Sequence, residues 1–227
     1  MRGSLAASAT HQAYDSGVPL VAPFVPAGRI FDLAERFFMK TGAVHETLRR
    51  LCSRLEEEGI PHAIVGGMAL AAHGFLRVTN DVDVLVTPAG LERFRERCVG
   101  RGYRPKFEGA RKTFRDTATD VAVEFLVAGE FPGDGKPKPV SFPPPGTSAV
   151  VRDGIRVLAL EHLIAIKLAS GMSAPHRLRD LADVQDLVMA LELPVELGDV
   201  LDESVRPEWK RLWAQARLAA SEGEPGG

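Results

Sequence analysis

The chain has 227 residues, with 28 Lys plus Arg against 30 Asp plus Glu, 45% hydrophobic and 26% charged. That is an ordinary globular composition, large enough for a sizeable core in one large domain or two small ones. It excludes a collagen-like, mucin-like or wholly disordered chain, and the formal charge of -2 argues against a dedicated DNA-packaging protein without excluding a local basic patch.

Taken in chain order, residues 1–27 are rich in Ala, Ser, Gly and Pro without a sustained period and read as a flexible arm. Arg2 precedes only a short apolar stretch, Leu5 to Ala9, too short for the core of a signal peptide. Residues 29–39 carry Ile30, Leu33, Ala34, Phe37 and Phe38 at helical spacing, and a second helix is expected over 44–58. Gly59 stops that helix, and a strand follows over 62–65. Gly66-Gly67 breaks the strand and a short helix is expected over 68–73. Residues 81–86 alternate acid and aliphatic, a strand pattern, and Pro88 opens a helix to about residue 99. Three more strands are expected at 103–107, 112–115 and 120–127. Residues 129–147, with six Pro and four Gly, read as a long loop. Asp153-Gly154 signals a hairpin between strands 149–152 and 155–158. The period then turns helical, with helices expected at 159–170, 176–192, 196–203 and 206–220. The resulting class is α/β (α+β): a mixed sheet with flanking helices over 28–158, then a helical subdomain over 159–222, with a cleft between them.

The longest apolar run, Ala63 to Ala72, is far short of the ~20 residues of a membrane span. Cys52 and Cys98, two thiols without metal-ligand spacing, point to a reducing compartment such as the cytoplasm and away from a zinc site.

The chemistry concentrates in residues 65–86. A strand ends in Gly66-Gly67, and a thirteen-residue spacer leads to Asp81-Val-Asp83 on a second strand. Glycines at such a turn let backbone N–H groups approach a phosphate, and a helix N-terminus favours anionic groups. Asp81 and Asp83, two apart on a strand, project from one face, while Val82, Val84 and Val86 fill the other. Two carboxylates held that way call for a cation, and Mg²⁺ suits them. Two such ions can clamp a phosphoryl transfer.

This stretch resembles the DNA polymerase β-like nucleotidyltransferase superfamily. The signature is a Gly-Gly or Gly-Ser turn, a spacer of this length, then Asp-x-Asp among aliphatics. The resemblance implies a third carboxylate on a later strand, and Val123-Glu124-Phe125-Leu126 fits, with Glu in place of the more usual Asp. Asp120, expected on the same strand face as Glu124, is the reserve candidate. Arg77 and Thr79 form an Arg-x-Thr-x-Asp arrangement familiar in the family, with Arg77 a candidate phosphate contact. Downstream, Lys167 and Arg179-Asp180-Leu-Ala-Asp183 resemble bacterial nucleotidyltransferases of the AbiEii and MenT toxin kind.

Helical projection reaches the same residues. Lys167 falls inside the stripe of Leu160, Leu163, Ile164 and Leu168. Asp180 and Asp183 border the stripe of Leu181, Val184, Leu187, Val188 and Leu191. Charges there are costly unless paired or facing a cleft. Lys167 would contact a triphosphate, with Asp180 and Asp183 as nucleotide-site residues or as partners of Arg177 and Arg179. His73 reads as a helix-end residue bonding backbone carbonyls. Arg111, Lys112 and Arg115 read as a solvated charged hairpin rather than a nucleic-acid patch.

The expectation is a Mg²⁺-dependent enzyme that moves a nucleotidyl group from an NTP to an acceptor hydroxyl. Asp81, Asp83 and Glu124 would hold metal, and Gly66, Gly67, Arg77, Thr79 and Lys167 would meet the nucleotide. The resemblance implies a tRNA 3′ end or a protein as acceptor, and a cognate antitoxin if the enzyme is a toxin. The alternatives are an antibiotic-type enzyme with a small acceptor, and a non-catalytic nucleotide-binding module.

Overall fold

A computed structural model describes residues 42–222. The expected arm over 1–27 and helix over 29–39 lie outside the described residues.

Helix α1 (Ala43–Glu57) buries Leu48, Leu51, Cys52 and Leu55, one helical stripe. It ends in a Schellman motif. Gly59 takes φ +62°, and the Ile60 N–H reaches back to the Leu55 carbonyl at 2.8 Å. Strand β1 (His62–Val65) is buried along its whole length. Helix α2 (Gly66–Ala72) follows without a loop. Its C-cap is His73, whose Nε2 donates to the Leu158 carbonyl at 2.8 Å, the backbone role expected of it.

Strand β2 (Asp81–Val86) returns antiparallel to β1. Helix α3 (Pro88–Cys98) starts at a Thr87 cap, whose hydroxyl accepts from the Gly90 N–H at 3.0 Å. Strands β3 (Tyr103–Pro105), β4 (Thr113–Asp116) and β5 (Ala122–Val127) form an antiparallel meander, and β5 then lies parallel to β2. A loop leads to the single-turn helix α4 (Pro145–Ser148) and the hairpin β6 (Ala149–Arg152) and β7 (Ile155–Leu158). Asp153 and Gly154 both have positive φ at that turn, as an Asp-Gly hairpin requires. The sheet has seven strands in the order β3-β4-β5-β2-β1-β7-β6.

The remaining chain is helical: α5 (Leu160–Ser173), α6 (Leu178–Ala190) and α7 (Arg206–Glu222). Residues expected as a helix at 196–203 instead form a 3₁₀ segment, Val195–Val200. One hydrophobic cluster runs from Leu48 through the sheet to Val184, Leu187 and Trp209, so sheet and helices share a core. Phe94 lies at its α3 end, with ring centroids 5.0 Å from Tyr103, 5.2 Å from Phe114 and 4.4 Å from Phe125. Among the described residues, no helix is long and apolar enough to cross a membrane.

Asp120 departs from expectation. Strand β5 begins two residues later, and Asp120 sits in the preceding turn with φ +58°. Its carboxylate accepts from Arg104 at 2.7 Å and from Arg115 at 3.2 Å. The turn is closed by Asp116, whose buried carboxylate takes the Ala118 N–H at 2.8 Å. Asp120 is therefore a turn residue and does not share the face of Glu124.

Candidate active site

The sheet register assembles the carboxylates. Across the parallel pair β2–β5, Asp83 stands opposite Glu124 and Asp81 opposite Ala122. Residues in register share a sheet face, as do residues two apart. Asp81, Asp83 and Glu124 therefore share one face. Val82, Val84 and Val86 are fully buried on the other.

The two glycines have a steric reason to be there. Gly66 has φ +60°, and a Cβ on it would stand 1.8 Å from Oδ2 of Asp83. A Cβ on Gly67 would stand 2.8 Å from Cβ of Thr79. Real Cβ atoms do not approach so closely, and a side chain at φ +60° is strained besides. The turn thus makes room for Asp83 and for Thr79. The Thr79 hydroxyl in turn donates to Oδ1 of Asp81 at 2.5 Å.

A second charged group lies on the helices. Gly171 lets α6 come close to α5, since a Cβ there would stand 2.5 Å from Cγ of Leu181. That approach brings both aspartates of α6 onto Lys167. Nζ of Lys167 donates to Asp183 at 2.7 Å and to Asp180 at 3.2 Å. Ser170, one turn beyond Lys167, donates to the other oxygen of Asp180 at 2.6 Å. Arg77 donates to the same Oδ2 of Asp183 that Lys167 uses. Lys167 is 8% exposed and Asp183 3% exposed, so this is a buried network. The partners of the two aspartates are Lys167 and Arg77, not Arg177 or Arg179. Nε of Arg77 is buried without a hydrogen-bond partner.

These groups meet in a cleft of about 450 Å³. It is lined by Gly66, Gly67, Arg77, Thr79, Asp81, Asp83, Glu124, Lys167 and Asp180, nine of the ten residues expected from sequence, while Asp183 lies buried behind Lys167. Burial pushes the Asp83 carboxyl up to about 7. Asp81 and Glu124 push the same way, and Lys167 and Arg77 pull back. The sheet wall thus carries more negative charge than its neighbours neutralise. Among the described residues, no three acidic, His or Cys side chains are gathered tightly enough to form a ready metal cage. The donors are nonetheless hard oxygens in a place short of positive charge. That donor chemistry is of the kind Mg²⁺ takes, and Asp81, Asp83 and Glu124 would be the residues to hold it.

The cleft also holds residues that the sequence reading left outside the site. Lys112 and Glu130 form a 2.5 Å ion pair at its rim. Phe131, Pro132 and Gly133 line it from the long loop, and Ser170 from α5. Ser170 was within reach of sequence reasoning, since it stands three residues after a lysine in an apolar helix. The loop residues carry no local signal.

Several solved structures are similar to this chain. One is the antibiotic-resistance factor ANT(2″)-Ia bound to adenylyl-2″-tobramycin: 16% identity, 77% of this chain and 97% of that one, TM-score 0.47. A solution structure of ANT(2″)-Ia matches at 17% identity over 78% and 94%, TM-score 0.45. An antigenic nucleotidyltransferase-like protein from Paracoccidioides brasiliensis matches at 14% identity over 78% and 89%, TM-score 0.46. No curated protein matches the sequence. The sequence model of one family, described as uncharacterised nucleotidyltransferase, matches residues 2–222, nearly the whole chain, and the protein belongs to that family.

Proposed function

We propose that this protein is a Mg²⁺-dependent nucleotidyltransferase that transfers NMP from an NTP to an acceptor hydroxyl and releases pyrophosphate. The observation that carries this reading is the register of Asp83 against Glu124, with Asp81 on the same face, across a cleft from Lys167. Bound magnesium would neutralise charge on the phosphate oxygens. The protein's own groups divide the remaining work. The ammonium of Lys167 offers a cation to the β- and γ-phosphates, and Asp183 and Asp180 hold it in place. The Gly66-Gly67 turn at the start of α2 leaves backbone N–H groups bare beside them. The acceptor oxygen attacks the α-phosphorus as the bond to pyrophosphate breaks. Its proton passes to a carboxylate, for which Glu124, the most exposed of the three, is suited. Positioning and charge stabilisation are the main catalytic contributions.

The order Lys167, then Arg179-Asp180-x-x-Asp183, supports the AbiEii and MenT kind. On that reading the acceptor is a tRNA 3′ hydroxyl or a protein hydroxyl, the enzyme works in the cytoplasm, and a cognate antitoxin accompanies it. Labelled NTPs incubated with Mg²⁺ and, separately, total tRNA, total protein and aminoglycosides test both steps. Label is expected in RNA or protein, and it vanishes with Asp81→Ala or Asp83→Ala. Label in the aminoglycosides alone moves the enzyme to the antibiotic-modifying class. Undiminished transfer by Asp83→Ala overturns the carboxylate assignment.

A further inference from the structure

The loop after β5 is built as a strap. It leaves the sheet at the C-terminal end of β5, where the Ala128 N–H bonds the Val86 carbonyl at 2.9 Å. It is closed on itself by Gly129 N–H to Phe142 carbonyl at 2.9 Å and Phe142 N–H to Glu130 carbonyl at 2.8 Å. It then seats on α5. A Cβ on Gly133 would stand 2.0 Å from Oγ of Ser173 and 2.9 Å from the Ser170 carbonyl. The Asp134 N–H donates to Oγ of Ser173 at 3.2 Å. Lys138 ties the bend, reaching the Pro132 carbonyl and the Asp134 carboxylate, each at 2.5 Å. The strap thus joins the strand bearing Glu124 to the helix bearing Lys167, and it is pinned at both ends.

Between the pins lies Phe131. Three aromatic residues line the cleft: Phe125, Phe131 and Phe142. Phe125 is 1% exposed and Phe142 8% exposed, both committed to the core. Phe131 alone of the three is only part-buried. Phe131 is not among the side chains packed into the hydrophobic cluster, although its segment is constrained. The cleft lining combines the apolar side chains of Pro132, Leu163 and Ile166 with the polar groups of Thr79 and Lys167. A ligand with a charged end and a flat, weakly polar end suits such a mixed lining, and a nucleoside triphosphate is such a ligand.

We propose that the ring of Phe131 is the face on which the nucleobase of the NTP stacks, with the strap as its rigid mount. The inference rests on the nucleotidyltransferase reading above and adds the base-binding residue to it. Stacking on a π-face is tolerant of base identity, so Phe131 sets that a base is bound more than which one.

The test is equilibrium binding, which needs no acceptor. Non-hydrolysable analogues of the four NTPs and inorganic tripolyphosphate are titrated, with Mg²⁺, into wild type and the Phe131→Ala, Phe131→Leu and Phe131→Tyr proteins. Loss of a base–aromatic stack is expected to weaken NTP binding by about fivefold or more in the Ala and Leu proteins. Tyr keeps the wild-type affinity, and tripolyphosphate binds all four proteins alike. The Leu and Tyr proteins keep the test decisive if Ala unseats the strap. Wild-type NTP affinity in the Leu protein overturns the inference, since a merely apolar wall would suffice. So does an equal loss of tripolyphosphate, because Phe131 would then act through the phosphate end. Wild type that binds neither NTP nor tripolyphosphate overturns the nucleotide reading itself, and the stack with it.

Discussion

Asp83→Asn should stabilise the cation-free protein, and by an amount that depends on pH. The substitution keeps the shape of the side chain beside Gly66 and removes only its charge. In the unfolded chain this carboxyl titrates at its ordinary 3.8, in the fold at about 7. Below pH 3.8 both states are protonated and the site costs nothing. Between 3.8 and about 7 the unfolded state ionises while the folded state holds its proton, so stability falls as pH rises. Above about 7 both are ionised and the full cost is present. At about 1.4 kcal/mol per decade of proton affinity, the cost approaches ~4 kcal/mol. Water in the open cleft screens part of it, leaving roughly 2–4 kcal/mol. For a chain of this size that corresponds to a rise of about 4–16 °C in Tm at pH 8. Thermal unfolding of both proteins in EDTA from pH 4 to pH 8 measures it, because other titrating groups cancel in the difference. The gap should be near zero at pH 4, widen towards pH 7 and then level off. Added Mg²⁺ should stabilise wild type more than the variant and narrow the gap. A gap independent of pH, or a variant less stable than wild type at pH 8, refutes the electrostatic account.

Gly66→Ala should lower stability by roughly 1–3 kcal/mol through the left-handed φ alone, and the clash with Asp83 adds to it. Part of that loss should return in Gly66→Ala/Asp83→Ala, as a double-mutant unfolding cycle would register. Asp116 is fully buried and takes two hydrogen bonds from Arg50, at 2.7 and 2.8 Å. Asp116→Ala orphans the Ala118 N–H and leaves the part-exposed Arg50 with Glu46 as its partner, so it should cost about 1–3 kcal/mol in urea unfolding, while transfer activity per folded molecule stays unchanged. Burial pushes the Cys52 thiol up to about 12 and the Cys98 thiol up to about 11. Both should resist iodoacetamide at pH 8 in the native protein and react promptly in urea, as mass spectrometry would record.

Strands β1, β2, β6 and β7 fall where the sequence places them, because alternation and the turn pairs Gly66-Gly67 and Asp153-Gly154 are local signals. The Asp-x-Asp face was legible for the same reason: a strand's period fixes which side chains share a side. What escaped the sequence is set by contacts between distant segments. Arg77 meets Asp183 across 106 positions. Nothing local to either residue says which cation that acid holds, so Arg177 and Arg179, close in sequence, stood in as partners. Asp120 misled because a period of two was extended into a turn, where its φ of +58° breaks the alternation. Sequence alone suggests that the glycines make room for phosphate. Their tightest neighbours are Asp83 and Thr79, which only the pairing of β1 with β2 brings near. The strap residues Phe131 and Gly133 lie in a loop whose composition says only that it is a loop.

The two aspartates of α6 look alike in sequence, yet they should affect phosphate binding with opposite signs. Asp183 is buried and accepts from both Lys167 and Arg77, so it sets where two cations sit. Asp180 lines the cleft, accepts from Lys167 at 3.2 Å and is also held by Ser170 at 2.6 Å. It contributes less to position and more to the negative charge an incoming triphosphate must face. Asp180→Asn keeps the size and an acceptor for Ser170 while removing one charge next to the phosphate site. At an effective dielectric of 20, a like charge at about 6–8 Å costs roughly 2 kcal/mol. Screening by water in the cleft reduces that, so tripolyphosphate should bind the Asp180→Asn protein several-fold more tightly. Asp183→Asn removes the anchor that Lys167 and Arg77 share, leaving two cations competing for a neutral amide. Arg77 can then swing away and Lys167 keeps only its longer contact to Asp180, so tripolyphosphate binding should weaken by about tenfold, the loss of one well-placed charged contact. Isothermal titration of both variants with tripolyphosphate, over a salt series, separates the cases. If both weaken binding equally, Asp180 is as much an anchor as Asp183. The division of labour between the cleft-lining and the buried acid then fails.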